Sequence, residues 1–201
     1  MFKSIKENAS AELVEKKSKF IANVFYVESR AEAENMIKEI NKKYHDARHN
    51  CYAYRVVTSD GVIEKASDDG EPSGTAGAPM LTILSKNNLA NVLVIVTRYF
   101  GGILLGTGGL VKAYSESCSL GIEKAGIVEK YIAKVYKVEL NYSDVDKFKY
   151  FAKNNDIIIL NEEYLENVIL EIGLKEKDIL DNLTQNDKIV RNIQFLKEMY
   201  V

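Results

Sequence analysis

The sequence predicts an α+β protein in two domains, 1–130 and 131–201, and three observations carry that reading. Eight of the twelve glycines lie between Gly70 and Gly109, and only Gly173 lies beyond Gly126. Residues 91–97, NVLVIVT, form a continuous apolar run bounded by turn signals, as in a strand covered on both faces. From residue 131 onward the pattern runs strand, helix, strand, strand, helix, strand, the order of a ferredoxin-like α/β plait.

Within the first domain, residues 10–27, SAELVEKKSKFIANVFYV, alternate weakly and read as a β-hairpin or bent strand. Ser29 and Glu32 form a capping-box pattern, followed by Ala33, Met36, Ile37 and Ile40 at helical spacing. NCYAYRVV, at 50–57, is aromatic and β-branched, and GVIEKAS, at 61–67, is its expected antiparallel partner. Thr75 is the expected cap of a helix through AGAPMLTILSK. Pro79 is tolerated there because first-turn N–H groups lack helical partners. After RYFGGILLGTGG a helix puts Leu110, Tyr114, Cys118 and Ile122 on one stripe.

In the second domain IAKVYKVEL alternates, and Ser143 is the expected cap of a helix carrying Val145, Phe148 and Phe151. DIIIL and NVILEIG make a hairpin, KEKDILDNL a short helix and KIVRNIQFL the last strand.

Composition narrows the function classes. The chain is 201 residues long and 46% hydrophobic, enough apolar surface for packed cores. Its formal net charge is −2, which supplies no strong overall field for nucleic acid or anionic membrane. Residues 1–130 hold 17 basic and 16 acidic side chains, a net of +1, and residues 131–201 hold 10 and 13, a net of −3. The start has no apolar stretch of signal-peptide length and LANVLVIVT is too short to span a bilayer, so the cytoplasm is expected and a membrane is not. Cys51 and Cys118 are expected to be free thiols.

Three stretches hold the candidate chemistry. HDARHNCYAYR contains both histidines, His45 and His49, but its spacing suits no simple zinc site. No metal or other cofactor is therefore expected, and Arg48 and His49 are instead expected to project from a strand end into a cleft. DDGEPSGTAG, at 68–77, packs three carboxylates and three glycines around Pro72. Asp68, Asp69 and Glu71 repel one another unless helix N–H groups, an arginine such as Arg98 or Arg48, or a cation offsets the charge. RYFGGILLGTGG follows a buried strand and opens a helix, where backbone N–H groups hold anions, although it matches neither the dinucleotide fingerprint nor a P-loop.

Taken together, DDGEPSGTAGAP at 68–79, VTRYFGGILLGTGGLVKAYSES at 96–117 and HNCYAYR at 49–55 resemble the YigZ/IMPACT family. The resemblance implies a first domain similar to the second-domain fold of a small-subunit ribosomal protein. It also implies a ferredoxin-like second domain similar to one in elongation factor G. Eukaryotic relatives restrain a translation-control kinase by competing for its activator and carry an additional N-terminal interaction domain. This sequence starts almost at once with the family domain, so that kinase role is not expected to carry over. The motif residues implied are Asp68, Asp69, Gly70, Glu71, Pro72, Ser73, Gly74, Thr75, Arg98, Tyr99, Gly101, Gly102, Gly106, Gly108 and Gly109, with Lys112 at an often basic position.

The expected site is thus one cleft between the 68–77 and 98–109 loops, with Arg98 central and no catalytic residue assigned. The leading function is a non-catalytic regulator that binds RNA, the ribosome or a translation-associated partner. Arg48, Arg55, Arg98 and Lys112, interleaved with Tyr52, Tyr54 and Tyr99, supply the cationic and stacking groups. The alternatives are an enzyme or sensor of a small phosphorylated ligand, using the acidic cluster with a metal or His49 as a base, and a protein-interaction module using the plait's open sheet face.

Overall fold

The computed structural model describes residues 2–58, 60–175 and 189–201. Its contacts divide the chain into two units, Phe2–Glu129 and Lys130–Val201.

In the first unit, strands β1 (Phe2–Ile5), β2 (Ala9–Glu15) and β3 (Ser18–Tyr26) precede helix α1 (Arg30–Lys43). Then come β4 (His49–Thr58), β5 (Gly61–Ser67), α2 (Gly77–Lys86), β6 (Val92–Tyr99), α3 (Gly106–Ala125) and β7 (Ile127–Lys130). The hairpin β2–β3 turns at Lys16 and Lys17, both left-handed with φ of 44° and 66°. Two consecutive positive φ values match the right-handed twist of paired strands, although glycine and asparagine usually supply them. Helix α1 starts as expected: the Ser29 side chain accepts from the Glu32 N–H. The Glu32 carboxylate reaches back to the Glu28 N–H, one residue beyond the N-cap N–H that a standard capping box uses.

The main sheet runs β2-β3-β6-β4-β5 with every neighbour antiparallel. Strand β6 is central, and its alternation explains its unbroken apolar run. Val92, Val94 and Val96 enter a core with Met80 and Leu84 of α2 and Leu110, Tyr114, Cys118 and Ile122 of α3. Leu93 and Ile95 enter a second core with Ala33, Ile37 and Ile40 of α1. Helices on both faces bury an antiparallel strand as fully as a parallel one. The rule that ligands gather at the carboxyl ends of strands belongs to parallel sheets and does not apply to Arg98, near the end of β6.

In the second unit, β8 (Ile132–Leu140), α4 (Val145–Asn154), β9 (Ile158–Tyr164), β10 (Val168–Leu174) and β11 (Val190–Tyr200) form a sheet ordered β11-β8-β10-β9. The first strand lies between the third and the last, all antiparallel, as in a ferredoxin-like plait. Phe148 and Ala152 of α4 pack on Val138, Leu140, Leu170 and Ile172. Ser143 does not cap α4. A 3₁₀ turn, Tyr142–Asp144, leads into the helix, and the N-cap residue is Asp144, without a side-chain cap bond. The short helix expected over KEKDILDNL lies, beyond Lys175, outside the described residues.

Phe148 is fully buried in this small core, and its truncation leaves a cavity. Phe148→Ala is expected to destabilise the second unit by about 3–5 kcal/mol. Urea unfolding of the whole chain, followed separately by amide-exchange protection in each unit, checks this. Equal loss of protection in both units would show that they unfold as one.

Candidate functional site

The acidic stretch folds as two tight turns in succession. The Glu71 N–H donates to Asp68 O at 2.9 Å, with Asp69 and Gly70 at φ of 44° and 83°, as in a type I′ turn. Gly70 is needed at its position because a left-handed backbone there disfavours larger residues. The next turn closes through Thr75, whose N–H and hydroxyl both donate to Pro72 O. The expected Thr75 cap is therefore corrected: its hydroxyl is spent on the turn.

Asp68 does the capping instead. One carboxylate oxygen accepts the Ala76 and Gly77 N–H groups at 2.9 and 2.8 Å, and the other accepts Gly74 N–H at 2.8 Å. Burial pushes this carboxyl up, but the three N–H bonds together outweigh it and hold Asp68 below its ordinary range. Asp69 continues the sheet. Strand β5 ends at Ser67, and beyond it the Asp69 side chain accepts the Asn50 N–H of β4 at 2.6 Å. The Cys51 thiol donates to Asp68 O at 2.9 Å, and burial pushes it up to about 12. Cys51 is thus a neutral packing residue rather than a nucleophile.

Glu71 turns inward. Its carboxylate meets Arg98 Nη1 at 2.6 Å, with both side chains about 95% buried, and accepts the Tyr114 hydroxyl at 2.9 Å. Arg98 Nη2 reaches Ser18 Oγ at 3.4 Å, and the guanidinium stands over the rings of Phe20 and Phe100. His49 completes the group. Its Nδ1 lies 2.7 Å from Asp69 O, a carbonyl that can only accept, so Nδ1 carries the proton. Its Nε2 then faces Glu71 Oε2 at 3.9 Å.

The opposite wall is the loop from Phe100 to Leu105. At Gly101 the backbone lies so close to Lys17 that an added Cβ would overlap that residue's carbonyl group, and the Gly101 N–H donates to Ser18 Oγ. Phe100, Ile103 and Leu104 are left exposed, Leu104 to 82%. Helix α3 then starts at Gly106 with no side-chain cap.

These walls enclose one cleft of about 440 Å³. Of the expected site residues it brings together Arg48, His49, Glu71, Arg98 and Gly106, joined by Gly70 and Pro72. Asp68, Asp69, Ser73, Thr75, Tyr99, Gly101, Gly102, Gly108, Gly109 and Lys112 do not line it. Several of these shape it from behind through the bonds above, and Lys112 points to solvent from α3. Sequence reasoning missed Phe100, Leu104, Leu105, Thr107 and Leu110, which also line the cleft. The signal was present: FGGILLG places four large apolar residues among glycines, and a glycine-rich loop cannot bury them all.

The expected stacking platform is corrected at Tyr54, while Tyr52 and Tyr99 are half-buried. Tyr54 is fully buried, and Tyr99 donates its hydroxyl to Asp46 at 2.8 Å. Arg55 is buried, paired with Glu64 at 2.7 Å and bonded to the carbonyl of Leu89. Among the described residues no group of three or more His, Cys, Asp or Glu side chains is placed to hold a metal ion. No helix among them is long and apolar enough to cross a membrane.

Known proteins are similar to this chain along most of its length. Residues 16–122 match the Impact N-terminal domain, which is more than half of the chain. The chain belongs to the IMPACT family. Residues 138–186 match a domain of unknown function, DUF1949. Among IMPACT family members, YvyE of Bacillus subtilis is 40% identical over 87% of this chain and 80% of its own length. YigZ of Escherichia coli is 34% identical over 79% of this chain and 78% of its own. A solved structure of a hypothetical protein is 28% identical, covers 97% of this chain and 96% of its own, and superposes with a TM-score of 0.63.

Removing one member of a buried ion pair strands the other. Arg98→Met and Glu71→Gln are each expected to cost about 3–5 kcal/mol, and the double variant clearly less than their sum. Chemical unfolding of the four proteins measures the coupling, and additive losses would contradict it. A second prediction concerns acid. Asp68→Asn is expected to cost about 1–2 kcal/mol at pH 7 through the weakened cap. Because the folded Asp68 carboxyl titrates below its unfolded value of about 3.9, its contribution is fully present above about pH 5. It is lost as pH falls through the lower folded value, so the gap between wild type and variant should close towards pH 3. A pH-independent gap would assign the cost to something other than the carboxylate charge.

Proposed function

We propose that this IMPACT family chain is a non-catalytic, cytoplasmic regulatory protein that binds a translation-associated partner through the cleft between the 68–77 and 98–109 loops. One observation carries the reading. The three carboxylates that the sequence offers for chemistry are engaged with the protein itself, while the large apolar side chains beside them face solvent. Asp68 caps a helix, Asp69 extends a sheet and Glu71 holds Arg98. Recognition surfaces, by contrast, are marked by exposed aromatic and aliphatic anchors with a polar rim, and Phe100, Ile103 and Leu104 beside Arg48 form such a group. The implied likeness to domains of ribosome partners supports the translation context by analogy. A protein partner is favoured over RNA because Tyr54, Tyr99, Arg55 and Arg98 are already committed to internal contacts.

Sucrose-gradient sedimentation of a cell extract tests the reading. The wild-type chain is expected to travel in part with ribosomes or with factors bound to them. Leu104→Asp, an exposed substitution that should leave folding intact, is expected to move the protein to the top of the gradient. Loss of co-migration after ribonuclease, with a steep salt dependence, would shift the partner to RNA. Identical profiles for wild type and Leu104→Asp would remove the cleft from function.

A further inference from the structure

We infer that the occupant of the cleft is a peptide segment presenting one large apolar side chain next to one carboxylate. This rests on the partner-binding reading above and names the partner's chemistry. Charge comes first. Arg48 is exposed and makes no ion pair among the described residues. Its guanidinium sits 5.7 Å from the centre of the Phe100 ring. Across the same cleft, α3 begins at Gly106 without a side-chain cap, so its first N–H groups and its dipole are available to an acceptor. Arg98 forms part of the lining but is 5% exposed, and its charge is already taken up by Glu71. The one carboxylate in the lining, Glu71, is already held by Arg98 and Tyr114. The cleft therefore has donor capacity left for one more negative charge.

That capacity is limited, which selects among anions. Among the described lining residues Arg48 is the one exposed cation, and Lys112 lies outside the cleft. A phosphate dianion is best held by several cations or forked contacts, and it would also face Glu71. A nucleic-acid strand needs a row of cations along its backbone. One carboxylate matches what remains. The rest of the cleft is apolar: Pro72, Phe100, Leu104, Leu105 and Leu110 line it. At about 440 Å³ it falls in the range of small-ligand pockets, enough for a side chain or two and too small for a folded surface. The apolar wall and the donor groups lie within one cleft, so adjacent residues of an extended peptide can reach both.

Fluorescence anisotropy with a fluorescein-labelled hexapeptide, one glutamate beside one phenylalanine between glycines and serines, tests this on the full chain. Replacing the peptide's glutamate by glutamine, or its phenylalanine by alanine, is expected to weaken binding about tenfold each. Arg48→Met is expected to bind the glutamate and glutamine peptides alike with an unchanged melting temperature, and Leu104→Asp to lose both. Equal binding of the two peptides to wild type overturns the inference, as does discrimination that survives Arg48→Met or the absence of binding to any peptide. Tighter binding of inorganic phosphate, or of a ten-nucleotide oligouridine, overturns it in favour of phosphate recognition. If the peptide preference fails while Leu104→Asp still leaves the ribosomal fractions, the occupant is wrong but the partner-binding reading stands. If the peptide binds as expected while Leu104→Asp stays in those fractions, the partner reading falls instead.

Discussion

The first unit depends on one buried ion pair, Glu71 with Arg98. A carboxylate and a guanidinium out of water are tolerated only where each meets a partner at close range. Here the contact is 2.6 Å, Tyr114 adds a hydroxyl, and two aromatic rings cover the guanidinium. The pair ties a loop that follows an edge strand to the central strand and to the longest helix. Everything else in the acidic stretch serves to deliver Glu71 there. The two turns reverse the chain, Asp68 fixes the start of α2, and Asp69 anchors the loop along β4.

Much of the fold was legible because it rests on local signals. The β2–β3 hairpin, the Ser29 cap and the α3 stripe of Leu110, Tyr114, Cys118 and Ile122 each follow from spacing within one element. The second-unit topology follows from element order. What the sequence hid was long-range pairing. Nothing near Thr75 reveals that Asp68, eight residues before Ala76, supplies the cap. Similarly, an apolar run such as residues 91–97 cannot distinguish a parallel strand from an antiparallel one with helices on both faces. The cleft was legible as a place but not in its character. Charged and glycine residues draw attention in the sequence, whereas in the structure Phe100 and Leu104 are exposed at the cleft.

Family membership and geometry agree on where this chain invests its unusual residues. The long motif strings 68–79 and 96–117 lie face to face in one cleft of the Impact N-terminal domain. Many of their residues do not touch the cleft at all. They hold its walls, as Gly101 does by admitting the backbone of the hairpin turn, and as Thr75 does by closing the second turn. A motif of this kind records the cost of building a rigid shape as much as the chemistry of a contact. That is why reading it as a list of ligand-binding groups overstates the number of residues a ligand could meet.

The close approach at Gly101 makes the first hairpin part of the cleft. The carbonyl of Lys17 occupies the space a side chain would take, and the Ser18 hydroxyl bonds both the Gly101 N–H and the Arg98 guanidinium. The two-residue turn thus acts as a spacer under the apolar wall. Its length is fixed by what rests on it. One residue more or fewer between Glu15 and Ser18 would raise or drop the Phe100–Leu105 loop even if the hairpin itself re-formed. The tip of a surface hairpin, ordinarily the place where a chain tolerates insertions best, is here among the places where it tolerates them least.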